Sequence, residues 1–198
     1  MLPNVLTVLR IILTPVFILC LFYEAPWAKP TALGVFIVAS ITDAWDGYLA
    51  RKRKEVTRTG TFLDPLADKI LVSSAFLSFA IMGKIPYWMV ALIIFRDLFV
   101  TGLRMLFLSR GVSLVTSRIA KLKTTTQLVA IVFILSTMTL KALKLVDARE
   151  IIDFIESVHL IYYAVLFVTV FTLYSGLSYL YANRAAIRVF IKTQSDLR

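Results

Sequence analysis

Six long apolar runs, each about as long as a bilayer is thick, leave this chain one class of fold. They fall at about residues 4–23, 31–51, 62–82, 86–109, 121–143 and 158–182, with short polar connections between them. A transmembrane helix needs about 20 predominantly apolar residues, so the spacing predicts six spans in one domain over residues 1–198. Transmembrane strands would alternate in polarity over about 9–11 residues, and these runs are continuously apolar and longer. The composition agrees: 59% of residues are hydrophobic and the mean hydropathy is +0.83. The expected architecture is an all-α integral membrane protein. The first run has neither a basic leader nor a small-residue cleavage site, and it is expected to be a retained helix rather than a signal peptide.

The loops predict orientation. Arg51, Lys52, Arg53, Lys54 and Arg58 follow the second run. Arg110, Arg118, Lys121 and Lys123 follow the fourth, and Arg184, Arg188, Lys192 and Arg198 the sixth. The opposite loops hold Lys29, Lys84, Lys141, Lys144 and Arg149, the last three diluted by Asp147, Glu150, Asp153 and Glu156. Thirteen cations against five place both termini on the cytoplasmic side. The net charge of +10 then reads as adhesion to anionic lipid headgroups. Nucleic-acid binding is not expected, because the charges flank apolar runs and form no separate basic domain. Cys20 is the single cysteine and His159 the single histidine, which excludes an intrachain disulfide and a zinc-like cluster. The stretch from Asp147 to Glu156 is polar and suits an interfacial helix on the outer side.

Against this apolar background stand four carboxylates at the cytoplasmic ends of the second and third runs. From Asp43 to Asp68 the chain reads D-x2-D-G-x2-A-R-x8-G-x3-D-x3-D. A carboxylate within a membrane costs about 2.5–3.5 kcal/mol on insertion scales, and four together repel unless a cation lies among them. On helices, Asp43 and Asp46 share one face and Asp64 and Asp68 another. Their all-oxygen chemistry suits one or two hard divalent ions, magnesium or manganese, rather than zinc. Gly47, Ala50 and Gly60 keep the neighbourhood small enough for a phosphate or nucleotide to approach the backbone. Arg51 offers a planar cation for phosphate oxygens. Pro65 fits the first turn of a helix, where its missing N–H has no intrahelical partner. Each acid alone would pass as a cap or an ion-pair partner. Together they exceed that explanation.

This pattern resembles the motif of the CDP-alcohol phosphotransferases, and every fixed position of it is present. The resemblance extends over the whole chain, since those enzymes are six-span membrane proteins, usually homodimers. It implies a magnesium- or manganese-dependent reaction in which a hydroxyl attacks the β-phosphorus of a CDP-linked lipid and CMP leaves. Carried over, Asp43, Asp46, Asp64 and Asp68 hold the metal, and Asp68 is also the general base. Gly47, Arg51, Thr57 and Gly60 contact CDP-diacylglycerol. The opening Pro3–Arg10 resembles the family's P-N-x-L-T-x-x-R start, which implicates Asn4 at the nucleotide end; Asn4 and Thr7 serve equally well as helix caps.

The acceptor is signalled further along. Arg96, Asp97, Gly102, Leu103 and Arg104, then Lys121, Leu122, Lys123, Thr124 and Gln127, resemble a stretch of the bacterial phosphatidylglycerophosphate synthases. Asp97 stands where that group has glutamate, and Ala120 where it has glycine. Arg96 and Arg104 lie two helical turns apart, on one face, deep in an apolar run. Asp97 is placed to neutralise or orient one of them. With Arg118, Lys121 and Lys123 they form a cationic wall suited to an acceptor carrying its own phosphate, such as sn-glycerol 3-phosphate. The same chemistry with inositol phosphate, phosphatidylglycerol (a cardiolipin synthase) or serine is the alternative. A cation transporter is a remote one, since a transport path would put acids at several depths. The expected location is the bacterial cytoplasmic membrane, multi-pass, with the site open to the cytoplasm.

Overall fold

The computed structural model describes residues 2–53, 60–110, 114, 118–144 and 148–195, with side chains described for 9–42, 69–110, 114, 119, 122–144, 148–188 and 190. The described residues form helices and no strand. The elements are α1 (Leu2–Phe22), α2 (Ala28–Arg53), α3 (Gly60–Ile81), α4 (Tyr87–Ser109), α5 (Arg118–Leu143), α6 (Arg149–Ser157), α7 (Leu160–Ala182) and α8 (Arg184–Ser195). Six of them have 21 to 26 residues. At 1.5 Å per residue such helices are about 31–39 Å long. They coincide with the six apolar runs to within a few residues.

The boundaries have identifiable causes. Gly83 takes φ +69°, and the amides of Gly83 and Lys84 return to the carbonyls of Ala80 and Phe79 at 2.9 Å each. This is a Schellman stop, which favours glycine because the left-handed conformation strains residues bearing a Cβ. Pro86 at φ −69° precedes α4 without continuing α3. Lys29 donates from Nζ to the carbonyls of Leu21 (2.6 Å) and Tyr23 (2.9 Å), covering the C-terminal end of α1 with a cation. Inside the helices, Thr14, Thr137 and Thr169 return their hydroxyls to carbonyls four residues back, so none needs solvent.

The long helices close a ring. α1 packs against α2 and α3, α3 against α4, α4 against α7, α7 against α5, and α5 against α2, with a further contact between α3 and α5. The interior is filled by Phe17, Leu21, Phe36, Phe76, Phe79, Met89, Ile93, Ile131, Ile134, Leu135, Val165 and Val168. Phe17 and Phe36 hold α1 to α2 with ring centroids 5.6 Å apart. Meanwhile Leu19, Phe95, Val129, Phe167 and Leu177 point outward and are well exposed. An apolar exterior this extensive would aggregate in water. In α5 the stretch Leu122–Leu143, and in α7 the whole of Leu160–Ala182, are long and apolar enough to cross a membrane; Leu9–Phe22, Ala28–Thr42 and Lys69–Ile81 are shorter apolar segments.

Two short helices complete the chain. α6 buries Ile152 and Ile155 while Ile151 and Phe154 remain exposed. Glu156 on α6 accepts a 2.5 Å hydrogen bond from Lys141 of α5, which holds its carboxyl below the ordinary glutamate value. Both partners are about half exposed, so the pair contributes little to stability. α8 is a helix where the basic residues after the sixth run suggested only a loop. Its Phe190 packs on Phe107 of α4 at 4.7 Å between centroids, and Arg110 lies over the same ring at 5.8 Å.

Because Phe36 is fully buried against Phe17, Phe36→Ala is expected to destabilise the bundle. The loss should lie near the low end of the about 3–5 kcal/mol typical of buried phenylalanine truncations, since lipid solvates the unfolded helices as well. Thermal unfolding in detergent reads this as a lowered midpoint; an unchanged midpoint would mean α1 and α2 are not joined through this pair.

Candidate functional site

Alternation of helix direction brings the C-terminal end of α2, the N-terminal end of α3, the C-terminal end of α4 and the N-terminal end of α5 to one end of the bundle. α2 contains Asp43, Asp46, Gly47 and Arg51, and α3 contains Gly60, Asp64 and Asp68. Both acidic pairs therefore fall on helix, with the spacing that keeps each pair on one face. α1 packs against both of these helices. The side chains of Asp43, Asp46, Asp64, Asp68, Gly47, Arg51 and Gly60 lie outside the described residues. So do Thr57 altogether and the side chains of Asn4, Arg118 and Lys121.

Just beyond the acids the bundle interior becomes charged. Asp97 of α4 is buried, and its carboxylate receives four hydrogen bonds. Lys123 of α5, only 2% exposed, donates from Nζ to both oxygens at 2.5 Å. Arg96 donates from one terminal nitrogen to Oδ1 at 3.1 Å, and Gln127 donates from Nε2 to Oδ2 at 3.3 Å. The other terminal nitrogen of Arg96 reaches Ser175 of α7 at 2.7 Å, and Ser175 in turn donates to the carbonyl of Thr172 at 2.9 Å. One carboxylate thus joins three helices through two cations. Lys69, the residue after Asp68, lies within electrostatic reach of both Asp97 and Lys123. The charged cluster is consequently continuous with the end of α3 that carries the acidic motif. It holds three cations against one described anion.

The sequence-predicted acceptor residues separate here. Arg96 and Lys123 come together, on Asp97. Arg104, two turns along α4 from Arg96, is exposed, and its charge reaches the buried Tyr179 of α7. The role anticipated for Asp97, neutralising a neighbouring arginine, is what the structure contains, extended to Lys123. Gln127 was visible in sequence only as part of a motif; its hydrogen bond makes it a member of the cluster. Ser175 and Tyr179 carried no sequence signal, because small and aromatic residues in an apolar run read as lipid or core positions. Arg10 of α1, the last residue of the Pro3–Arg10 motif, is also buried. Among the described residues no group of three or more His, Cys, Asp or Glu is placed to hold a metal.

The helical ring thus carries the acidic motif on α2 and α3 toward one end and a buried cationic cluster on α4 and α5. Comparison with known proteins gives the class. Residues 1–172 match the family model for CDP-alcohol phosphatidyltransferase, and the chain belongs to that family. It is 44% identical over 133 residues to a probable phosphatidylglycerophosphate synthase of Mycobacterium tuberculosis, covering 66% of this chain and 63% of that protein. It is 40% identical over 142 residues to a Bacillus subtilis CDP-diacylglycerol–glycerol-3-phosphate 3-phosphatidyltransferase, covering 66% of this chain and 74% of that one. The Escherichia coli protein of the same name is 39% identical over 139 residues, covering 67% and 75%. The matched segment thus spans a little under two thirds of the mycobacterial relative. With apolar helices and a family of this kind, the chain is a membrane protein.

Removing the Asp97 charge leaves Lys123 and Arg96 buried without a counter-ion. Asp97→Asn is expected to destabilise by about 3–5 kcal/mol, the usual result of breaking a buried pair on one side. Adding Lys123→Met should recover part of the loss. Unfolding midpoints of the single and double variants test this, and an undisturbed Asp97→Asn midpoint would mean the pair is solvated.

Proposed function

We propose that the protein transfers the phosphatidyl group of CDP-diacylglycerol to sn-glycerol 3-phosphate, giving phosphatidylglycerophosphate and CMP. The observation that carries this reading is the continuity, through the half-buried Lys69, between the α3 end bearing Asp64 and Asp68 and the buried Asp97–Lys123–Arg96 cluster. Both substrates are anionic at the reacting end, and one carries a phosphate remote from its nucleophile. A diphosphate site and a second, cationic site are what such a pair requires. The names of the relatives point to the same reaction.

In this reading all six long helices span the bacterial cytoplasmic membrane. Both termini and the site face the cytoplasm, and the chain works as a homodimer. Asp43, Asp46, Asp64 and Asp68 hold magnesium or manganese, an all-oxygen donor set that suits hard divalent ions. Such an ion, when bound, neutralises the charge that develops on the departing phosphate. Gly47 and Gly60 leave room for the nucleotide, and Arg51, Thr57 and Asn4 contact the CDP moiety. Asp68 takes the proton from the attacking hydroxyl as that oxygen bonds to the β-phosphorus and the bond to the CMP oxygen breaks. Arg104, Arg118 and Lys121 face the acceptor phosphate. Arg96 and Lys123, each already bound to Asp97, form the inner side of that pocket and hold its charge in place.

The test is CMP release by purified protein given CDP-diacylglycerol, magnesium and a panel of glycerol 3-phosphate, inositol phosphate, phosphatidylglycerol and serine. Release with glycerol 3-phosphate alone, abolished in Asp68→Asn, is the expected result. Another preferred acceptor would overturn the acceptor assignment and keep the site. Activity surviving Asp68→Asn would remove that residue from the chemistry. Separately, Arg104→Ala should raise KM for glycerol 3-phosphate about 10–100-fold, the worth of a charge-assisted hydrogen bond, with little change in KM for CDP-diacylglycerol. Equal damage to both constants would count against an acceptor-phosphate role.

A further inference from the structure

Arg96 is held from α7 as well as from its own helix, and the α7 residues that hold it lie beyond the segment that matches the family model. Ser175 is fully buried and accepts a hydrogen bond from one terminal guanidinium nitrogen; Asp97 accepts from the other. Between these anchors the stem of Arg96 runs against Gly176. A Cβ added at Gly176 would stand 3.0 Å from Nε and 3.1 Å from Cγ of Arg96. Contacts that short require the neighbour to give by a few tenths of an ångström. A free arginine would simply swing aside, but this one is buried and fixed at both ends of its fork, so yielding means displacing the guanidinium. Nε itself is buried without a hydrogen-bond partner. Leaving a buried donor unmatched is unfavourable, and the arrangement keeps it while satisfying both terminal nitrogens.

Glycine has no helical reason to be at position 176. The residue lies within α7, where alanine would be the better helix former. Its missing side chain is accounted for by the arginine that occupies the space. Thr172, Ser175, Gly176 and Tyr179 succeed one another at helical spacing and are all buried, so one face of α7 forms the seat for α4 at this level.

We infer that Ser175 and Gly176 are positioning residues for acceptor selection: they set the guanidinium of Arg96 so that the inner side of the acceptor-phosphate pocket keeps its shape. This rests on the acceptor site proposed above. Neither residue touches substrate; both act through Arg96.

The experiment is steady-state CMP release by full-length protein, with KM determined for glycerol 3-phosphate and for CDP-diacylglycerol. The variants are Gly176→Ala, Ser175→Ala, Ser175→Thr, Arg96→Ala and the Arg96→Ala/Gly176→Ala double, with unfolding midpoints alongside. Gly176→Ala is expected to raise KM for glycerol 3-phosphate about tenfold by misplacing the cation, with KM for CDP-diacylglycerol unchanged and the protein still folded at the assay temperature. Ser175→Ala should move the same constant in the same direction, and Ser175→Thr, which keeps the hydroxyl, should restore it. In the Arg96→Ala background Gly176→Ala should have no further effect, because the group it displaces is gone. An unchanged acceptor KM in both Gly176→Ala and Ser175→Ala, or an undiminished Gly176→Ala effect without Arg96, overturns the inference. If Arg96→Ala itself leaves the acceptor KM unchanged, the placing of Arg96 in the acceptor pocket fails instead, which is a distinct outcome.

Discussion

The carboxylate of Asp97 is the point on which the interior of this bundle turns. Two cations and an amide converge on it from α4 and α5, and Arg96 extends the connection to α7. In an apolar bundle none of these groups tolerates isolation. An unpaired ammonium or guanidinium at this depth would draw in water or force the helices apart. The association of α4, α5 and α7 is therefore specified by polar satisfaction as well as by packing. Lipid offers the helices no hydrophobic reason to prefer one another, and a buried hydrogen-bonded network restricts which faces can meet.

The same network explains how cationic charge persists inside the bundle. A lysine or arginine on a mobile surface side chain would collapse onto a nearby carboxylate and lose its directionality. Here Asp97 consumes one charge and fixes two, leaving a net positive cluster whose geometry is set before any ligand arrives. Lys69 of α3 adds a further cation within electrostatic reach of Asp97. Preorganised charge of this kind needs no rearrangement when a phosphate binds, which is the condition under which electrostatics contributes most to catalysis.

The long helices were legible in sequence because bilayer thickness imposes a length that the apolar runs reproduce, and turn chemistry marks their ends. Gly83 and Pro86 punctuate α3 and α4 by backbone rules that operate locally. α8 escaped because Arg184, Arg188 and Lys192 dominate its composition and read as positive-inside anchors. Its apolar Phe190 becomes meaningful only against Phe107, a tertiary partner more than eighty residues away. The acidic motif was readable for a different reason: four charges in an apolar context are too costly to be incidental, so their order alone identifies a family. The cationic residues were only half readable. Helical spacing put Arg96 and Arg104 on one face, yet one is buried and the other, nearer the C-terminal end of α4, is exposed.

Lys123 illustrates the limit most clearly. In sequence it is one of several lysines and arginines at the start of an apolar run, indistinguishable from Lys121 two residues before. A helix rotates about 200° over two residues, so the two cannot share a face. Lys123 turns inward and takes Asp97, 26 positions earlier in the chain. Nothing local forces that choice; it follows from which face of α5 packs toward α4 and α7, and so from the closure of the whole ring. Which lysine enters the interior is thus a property of the bundle rather than of any motif. Gly176 belongs to the same logic, since its lack of a side chain has consequences only because Arg96 arrives from another helix to occupy the space.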